Sequence, residues 1–246
     1  MRYRDLKISK KTTLLAAAVL FIFSLTMSCV GPTAEPWKVI FNGVDFEGWT
    51  VIGDLSKTWI EDSAFVCQRV VNTTEHGFIR TNEKYGDFIL ECDNKIDSTF
   101  NSGILFRCFD VPDTSAVCIY GYQVKLDPSK RAWTGGIFLD YGDSWHWLYT
   151  LENDARARAA YKLGEWNHFR IEAIGSSLKV WVNGIPTCNL INAKYDKGYI
   201  AFKIHSLPKN NNGQAESKGY FKNIRIITES PEKYAKEMDI PPLAAD

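Results

Sequence analysis

The sequence lacks most of the signatures that make chemistry easy to name. None of its six cysteines forms a C-x-x-C pair, so a zinc knuckle or thioredoxin-type site is unsupported. It has no G-x-S-x-G turn, no phosphate-cradling loop and no dinucleotide fingerprint, which removes hydride-transfer and nucleotide-using classes. It also lacks net charge, with 29 basic and 29 acidic residues. What remains is 45% hydrophobic, 24% charged and 13% aromatic over 246 residues. That is ordinary globular composition and excludes a disordered, collagenous or coiled-coil chain.

The zero net charge hides an uneven distribution. Residues 1–28 carry Arg2, Arg4, Lys7, Lys10 and Lys11 against Asp5 alone, leaving 24 basic and 28 acidic residues beyond them. A mildly acidic body gives no electrostatic reason to bind nucleic acid. The basic start leads into the apolar run Leu14–Met27, about 21 Å as a helix and short of the ~30 Å hydrocarbon core of a bilayer. A basic flank, a short apolar core and small residues describe a secretory signal over residues 1–28. The run Leu25-Thr26-Met27-Ser28-Cys29 resembles a bacterial lipobox, which implies acylation of Cys29, a tether over residues 29–37 and an outer-membrane lipoprotein facing the periplasm. Of the remaining cysteines, Cys108 and Cys118 flank an expected hairpin loop as one candidate pair; buried thiols are the default.

From residue 38 to about 228, short alternating runs are broken by Gly, Asn, Asp and Pro. Phe88–Asp93, Gly103–Phe109, Tyr120–Leu126, His168–Ala173, Leu178–Val182, Tyr199–His205 and Phe221–Ile227 are rich in β-branched and aromatic residues and follow period two. Asn183-Gly184 predicts a type I′ hairpin turn. Only Asp154–Lys162 reads as helical, and the tail over 229–246 is polar with a Pro-Pro kink. Many short antiparallel strands predict an all-β sandwich or jelly roll in one domain over 38–228.

Several runs taken in order carry a resemblance. They are Ile40–Trp49, Trp59–Asp62, Gly77–Phe88, Asn101–Arg107, Gly121–Asp127, Thr134–Ile137, Gly164–Arg170, Val182–Ile185 and Phe221–Ile226. Together they resemble the 3-keto-disaccharide hydrolase domain family. The resemblance implies a concanavalin A-like lectin/glucanase jelly roll acting on glycosides whose sugar carries a ketone at C3. It needs no cofactor. Where family members often carry Glu and Gln, this chain has Gln123 and Lys125, and Lys203 replaces a common Gln, so its site is more basic.

A ketone at C3 acidifies the hydrogen on C2. A base then removes that proton, the C1 substituent leaves, and water adds to the enone. Such a site needs a base, a positive or hydrogen-bonding group at the enolate oxygen and an acid for the leaving group. Period two places Gln123, Lys125 and Asp127 on one face of their strand, and Lys203 with His205 on one face of theirs. His205 is the expected base, because imidazole titrates near neutrality. Arg107 is a candidate for the enolate or a sugar oxygen. Trp133, Trp145 and His146 make a candidate stacking wall for sugar rings, with Asp140 in the same stretch. No metal is assigned. Glu91 and Asp93 share a face, as in glucanases, but Lys95 stands where a third acid belongs, so an ordinary glucanase is not expected. A non-catalytic carbohydrate-binding lipoprotein remains the alternative, since fold does not fix function.

Overall fold

The computed structural model describes residues 35–53, 57–69, 76–111, 119–140, 145–205 and 217–245. The signal segment, Cys29 and Cys118 lie outside them. The chain divides into residues 1–35 and a compact unit over 36–246, and the architecture below is that of the second.

Sixteen strands among the described residues form two sheets. The back sheet holds β1 (Lys38–Val39), β3 (Lys57–Glu61), β4 (Ala64–Gln68), β6 (Phe88–Ile96), β11 (Asn167–Ile174), β12 (Ser177–Val182), β13 (Ile185–Ile191), β15 (Lys218–Ile227) and β16 (Leu243–Ala244). Its order is β16-β13-β12-β11-β6-β15-β4-β3, with β1 also paired to β15. The front sheet holds β2 (Trp49–Ile52), β5 (Gly77–Thr81), β7 (Ser102–Asp110), β8 (Ile119–Leu126), β9 (Ile137–Asp140), β10 (His146–Tyr149) and β14 (Tyr199–Ile204). Its order is β10-β9-β8-β7-β14-β5-β2. All pairings are antiparallel except β13 with β16. The expected all-β jelly-roll sandwich is the observed fold.

Alternation builds the core. Phe88, Leu90 and Cys92 of β6 face Ile104 and Phe106 of β7, Tyr122 and Val124 of β8, and Phe202 of β14, all buried. Phe202 of the front sheet stacks on Phe221 of the back sheet with ring centroids 4.2 Å apart. The hairpin at residues 183–184 forms as expected, with Asn183 at φ 51° and Gly184 at φ 76°, the paired positive values that a type I′ turn requires. Within Asp154–Lys162, α1 (Ala155–Arg158) is a single turn, capped by Asp154 accepting from the Ala157 N–H at 2.8 Å. Cys67, Cys92, Cys108 and Cys188 are all buried.

Arg107 departs from the simple alternation. A register shift between Phe106 and Phe109 and a left-handed φ of 45° turn it away from its strand neighbours. Its buried guanidinium donates to the carbonyls of Gly86, Ala173, Gly175 and Tyr195 and to the Asp87 carboxylate. Since Ala173 belongs to β11, one front-sheet side chain ties both sheets together. Gly198 makes room for this bulge, because a Cβ there would stand 2.3 Å from the Arg107 carbonyl carbon.

Away from the core, the back sheet carries paired charges. Glu91 accepts from Arg170 Nη1 at 2.9 Å and Arg225 Nη2 at 2.6 Å. Asp93 bonds His168 Nδ1 at 2.8 Å and Asn223 Nδ2 at 2.6 Å. Burial opposes ionisation of Glu91, but His168, Arg225 and Arg170 outweigh it and hold its carboxyl at about 2. The tail is a strap rather than a free end. Arg170 Nη2 donates to the Tyr234 carbonyl at 2.7 Å, Glu172 accepts from the Lys236 N–H at 3.0 Å, and Asn189 donates to the Ile240 carbonyl at 2.7 Å.

Two outcomes are expected. Arg107→Met strands the buried Ala173 carbonyl and removes the bonds to the partly exposed Gly86, Gly175 and Tyr195 carbonyls, and should cost about 1–3 kcal/mol in urea unfolding. An unchanged unfolding midpoint would refute the tie between sheets. His168 is raised to about 9, first by Asp93 and then by Glu91. A group raised on folding stabilises fully below its unfolded value of about 6.5 and stops doing so as pH climbs through its folded value. The melting-temperature gap between the native chain and His168→Gln should therefore be widest near pH 6 and close toward about pH 10.

Candidate functional site on the outer face of the front sheet

Residues that alternate with the core positions form a grid on the outer face of the front sheet. One cross-strand row reads Phe138, Gln123, Leu105, Ala201 and Arg80 on β9, β8, β7, β14 and β5. The next row reads Lys125, Gly103, Lys203 and Phe78. Two lysines thus flank a glycine, with their Cα atoms about 10 Å apart at ordinary strand spacing. Both are buried, Lys125 at 8% exposure and Lys203 at 3%. Phe78, Leu105 and Ala201 are fully buried although they point away from the core.

The missing Cβ of Gly103 has a use. A Cβ there would stand 2.3–2.4 Å from the Gln123 side chain, so Gln123 lies across bare backbone. Lys125 Nζ donates to Gln123 Oε1 at 3.5 Å, which fixes the amide orientation and turns Nε2 to the other side. That Nε2 is buried with no partner among the described residues. An orphaned buried donor costs about 1–3 kcal/mol.

His205 follows β14 directly. Its ring centroid lies 4.4 Å from that of His76, and its carbonyl accepts from Arg69 Nε at 3.0 Å. Burial, then Lys203, Lys125, His76 and Arg69, push the His205 imidazole down to about 2. The expectation that it titrates near neutrality is corrected: it is a neutral imidazole throughout the physiological range. Burial also lowers Arg69, to about 10.

Of the residues singled out from sequence, Gln123, Lys125, Lys203 and His205 come together. Arg107 does not, because its guanidinium is bound between the sheets. Asp127 is corrected as well. β8 ends at Leu126, and the buried Asp127 carboxylate closes the following turn by accepting from Ser129 N–H, Trp133 N–H and Arg131 Nε at 3.2, 3.3 and 2.8 Å. That turn carries Trp133, which meets Trp147 edge-on at 5.0 Å, while Trp147 meets Phe138 at 5.3 Å. The aromatic wall therefore consists of Trp133, Trp147 and Phe138. Trp145 is 59% exposed beside it, His146 pairs in register with Leu139, and Asp140 with Gly121. Tyr141 and Asp143 lie outside the described residues.

Arg69 and His76 were not anticipated. Each stands one residue beyond a strand end, after β4 and before β5, where period two carries no information. Among the described residues no three His, Cys, Asp or Glu side chains cluster as a metal site would require. Glu91 and Asp93, the pair that suggested a glucanase, sit on the back sheet and are engaged by Arg170, Arg225 and His168.

Solved structures share the fold. A candidate glycosyl hydrolase from Parabacteroides distasonis superposes with a TM-score of 0.57 at 23% identity, covering 79% of this chain and 94% of that one. The β-glucanase of Bacillus licheniformis gives 0.53 at 11% identity over 78% and 97%. The carbohydrate-binding module CBM66 of Bacillus subtilis gives 0.51 at 14% over 72% and 93%. No curated protein sequence matches the chain. Residues 36–227 match one family model, and the chain belongs to that family, the 3-keto-alpha-glucoside-1,2-lyase-like domain.

Proposed function

We propose that this carbohydrate-active domain cleaves 3-keto-glycosides by enolate chemistry on the outer face of the front sheet. The observation that carries the reading is the Lys125–Gly103–Lys203 row with the unpartnered Gln123 amide lying over it. The substrate's C3 carbonyl oxygen sits over the Gln123 amide that covers Gly103, between the two ammonium groups, and accepts from Gln123 Nε2. Donors already in place there act on charge as it develops and need no reorganisation. The C2–H bond breaks, its proton passes to His205, and its electron pair delocalises onto the C3 oxygen. The enolate then collapses, C1=C2 forms, and the C1–O bond breaks as the leaving oxygen takes up a proton. Water adds hydroxyl to C1 and hydrogen to C2, so the net reaction is hydrolysis.

A base held at about 2 is weak in the resting site. Burial is the main cause of that weakness; the enolate's negative charge, entering among Lys125, Lys203 and Arg69, offsets the cations that add to it and offers the protonated imidazole a counter-charge. Trp133, Trp147 and Phe138 supply ring faces for the CH faces of the sugar. The lipid anchor at Cys29 belongs to the same reading: it holds the domain at the periplasmic face of the outer membrane. The second reading is a carbohydrate-binding lipoprotein without turnover, favoured by the low basicity of His205.

The test is release from a chromogenic 3-keto-glucoside by the full chain. Lys203→Met should lower kcat about 10²–10³-fold with little change in KM, and His205→Ala should abolish release. Because kcat/KM reports free-enzyme groups, a base at about 2 predicts no His205-dependent fall in rate between about pH 7 and 5. Sugar-dependent tryptophan fluorescence without any release would establish the binding-only reading instead.

A further inference from the structure

The outer face of the back sheet carries a second feature, on the opposite side of the sandwich from the lysine row. Strand register aligns Trp59 of β3, Val66 of β4, Tyr220 of β15 and Lys95 of β6 in one cross-strand row. Trp166, the residue before β11, extends it. The Trp166 and Tyr220 ring centroids lie 6.3 Å apart. Trp166 is 39% exposed, and Tyr220 and Trp59 are half-buried. None of the three rings belongs to the core, which Phe65 of β4 and Phe221 of β15 fill from the other face.

Ammonium groups are interleaved with these rings. Lys95 Nζ stands 4.4 Å from the Tyr220 ring centroid and 5.2 Å from that of Trp166. Lys222 Nζ stands 4.0 Å from Trp166, and Lys218 Nζ 5.1 Å from Trp59. Three acids border the patch and keep their charge, Glu61 and Asp97 acting on Tyr220, while hydrogen bonds hold each in place. Glu61 accepts from Trp59 Nε1 at 2.9 Å, Asp97 from the Lys218 N–H at 2.7 Å, and Asp93 from His168 and Asn223. The surface thus presents ammonium groups for carboxylates, each held against a ring whose remaining exposed area meets pyranose CH groups beside it. Sheets pack about 10 Å apart, so a sugar held here is not the sugar at the lysine row.

We propose that this face is a second, non-catalytic site that binds a glycan chain bearing carboxylates, a uronate polymer. A membrane surface fits less well, because the rings lie half-buried along the sheet instead of projecting from it. The proposal does not depend on the reaction assigned to the front sheet.

The test is native affinity electrophoresis of the full chain through gels containing polygalacturonate or neutral hydroxyethylcellulose. Retardation by polygalacturonate alone is expected, weakened by added salt. The double variant Trp166→Ala/Tyr220→Ala should bind about tenfold more weakly or worse. Lys95→Gln/Lys222→Gln, which keeps the rings, should show a similar loss and decides the matter if the aromatic variant misfolds. Lys203→Met should be retarded like the native chain, which separates this face from the front-sheet site. Absent retardation, equal retardation by the neutral polymer, retention unchanged in the lysine variant, or binding only to anionic lipid vesicles would each overturn the proposal.

Discussion

Two ammonium groups buried on either side of a glycine set the terms for the front sheet. Charges removed from water are costly unless something answers them, and here Lys125 lies 5.8 Å from the Phe138 ring centroid and Lys203 5.9 Å from that of Phe78. Val124, Ile104 and Phe202 lock the three strands into the core from the other side, so Lys125, Gly103 and Lys203 have no freedom to relax apart. Burial first, and then the same cations, keep His205 neutral. The Gln123 amide lies where only a residue without a side chain leaves room. Each of these features follows from one register, in which β7 places its glycine between the two lysines.

The back sheet carries its charges as pairs. There each carboxylate meets cations directly: Glu91 with Arg170 and Arg225, Asp93 with His168. Glu91 is thereby held ionised, and neither it nor Asp93 is poised to donate a proton to a leaving group. This is why an acid–x–acid strand in a glucanase-like fold is not a glucanase site here. A glycosidase pair needs one carboxyl raised and one free to attack, whereas both of these are lowered and bonded.

Period two made the fold and half of the site legible. The alternation in Tyr120–Leu126 and Tyr199–His205 already separated Gln123, Lys125, Lys203 and His205 from the core-facing residues, and the Asn183-Gly184 dipeptide marked its turn. The misreadings occur where alternation breaks. Arg107 counts as an outward residue by parity from Gly103, but a bulge and a positive φ redirect it between the sheets. Asp127 has the right parity from Lys125, yet its strand has already ended, and its carboxylate organises the turn that bears Trp133. Arg69 reaches His205 across 136 residues of sequence, a proximity created by topology alone. The tail, polar until its Pro-Pro kink, gave no sign that its backbone carbonyls would meet Arg170 and Asn189.

The choice between turnover and mere binding rests on when the charge appears. A neutral sugar in its ground state gains little from two buried ammonium groups, since its hydroxyls bond equally well to uncharged partners. The same groups gain far more once a negative charge forms on an oxygen held between them in a water-poor site. Interactions stronger in the transition state than in the ground state are the ones that accelerate a reaction. In the proposed reaction His205 responds in the same sense, for the anion created by proton abstraction offsets the cations that, after burial, depress its basicity. A surface that only held sugars would be better served by the back sheet's arrangement, rings and cations near solvent, than by cations buried around an unpartnered amide.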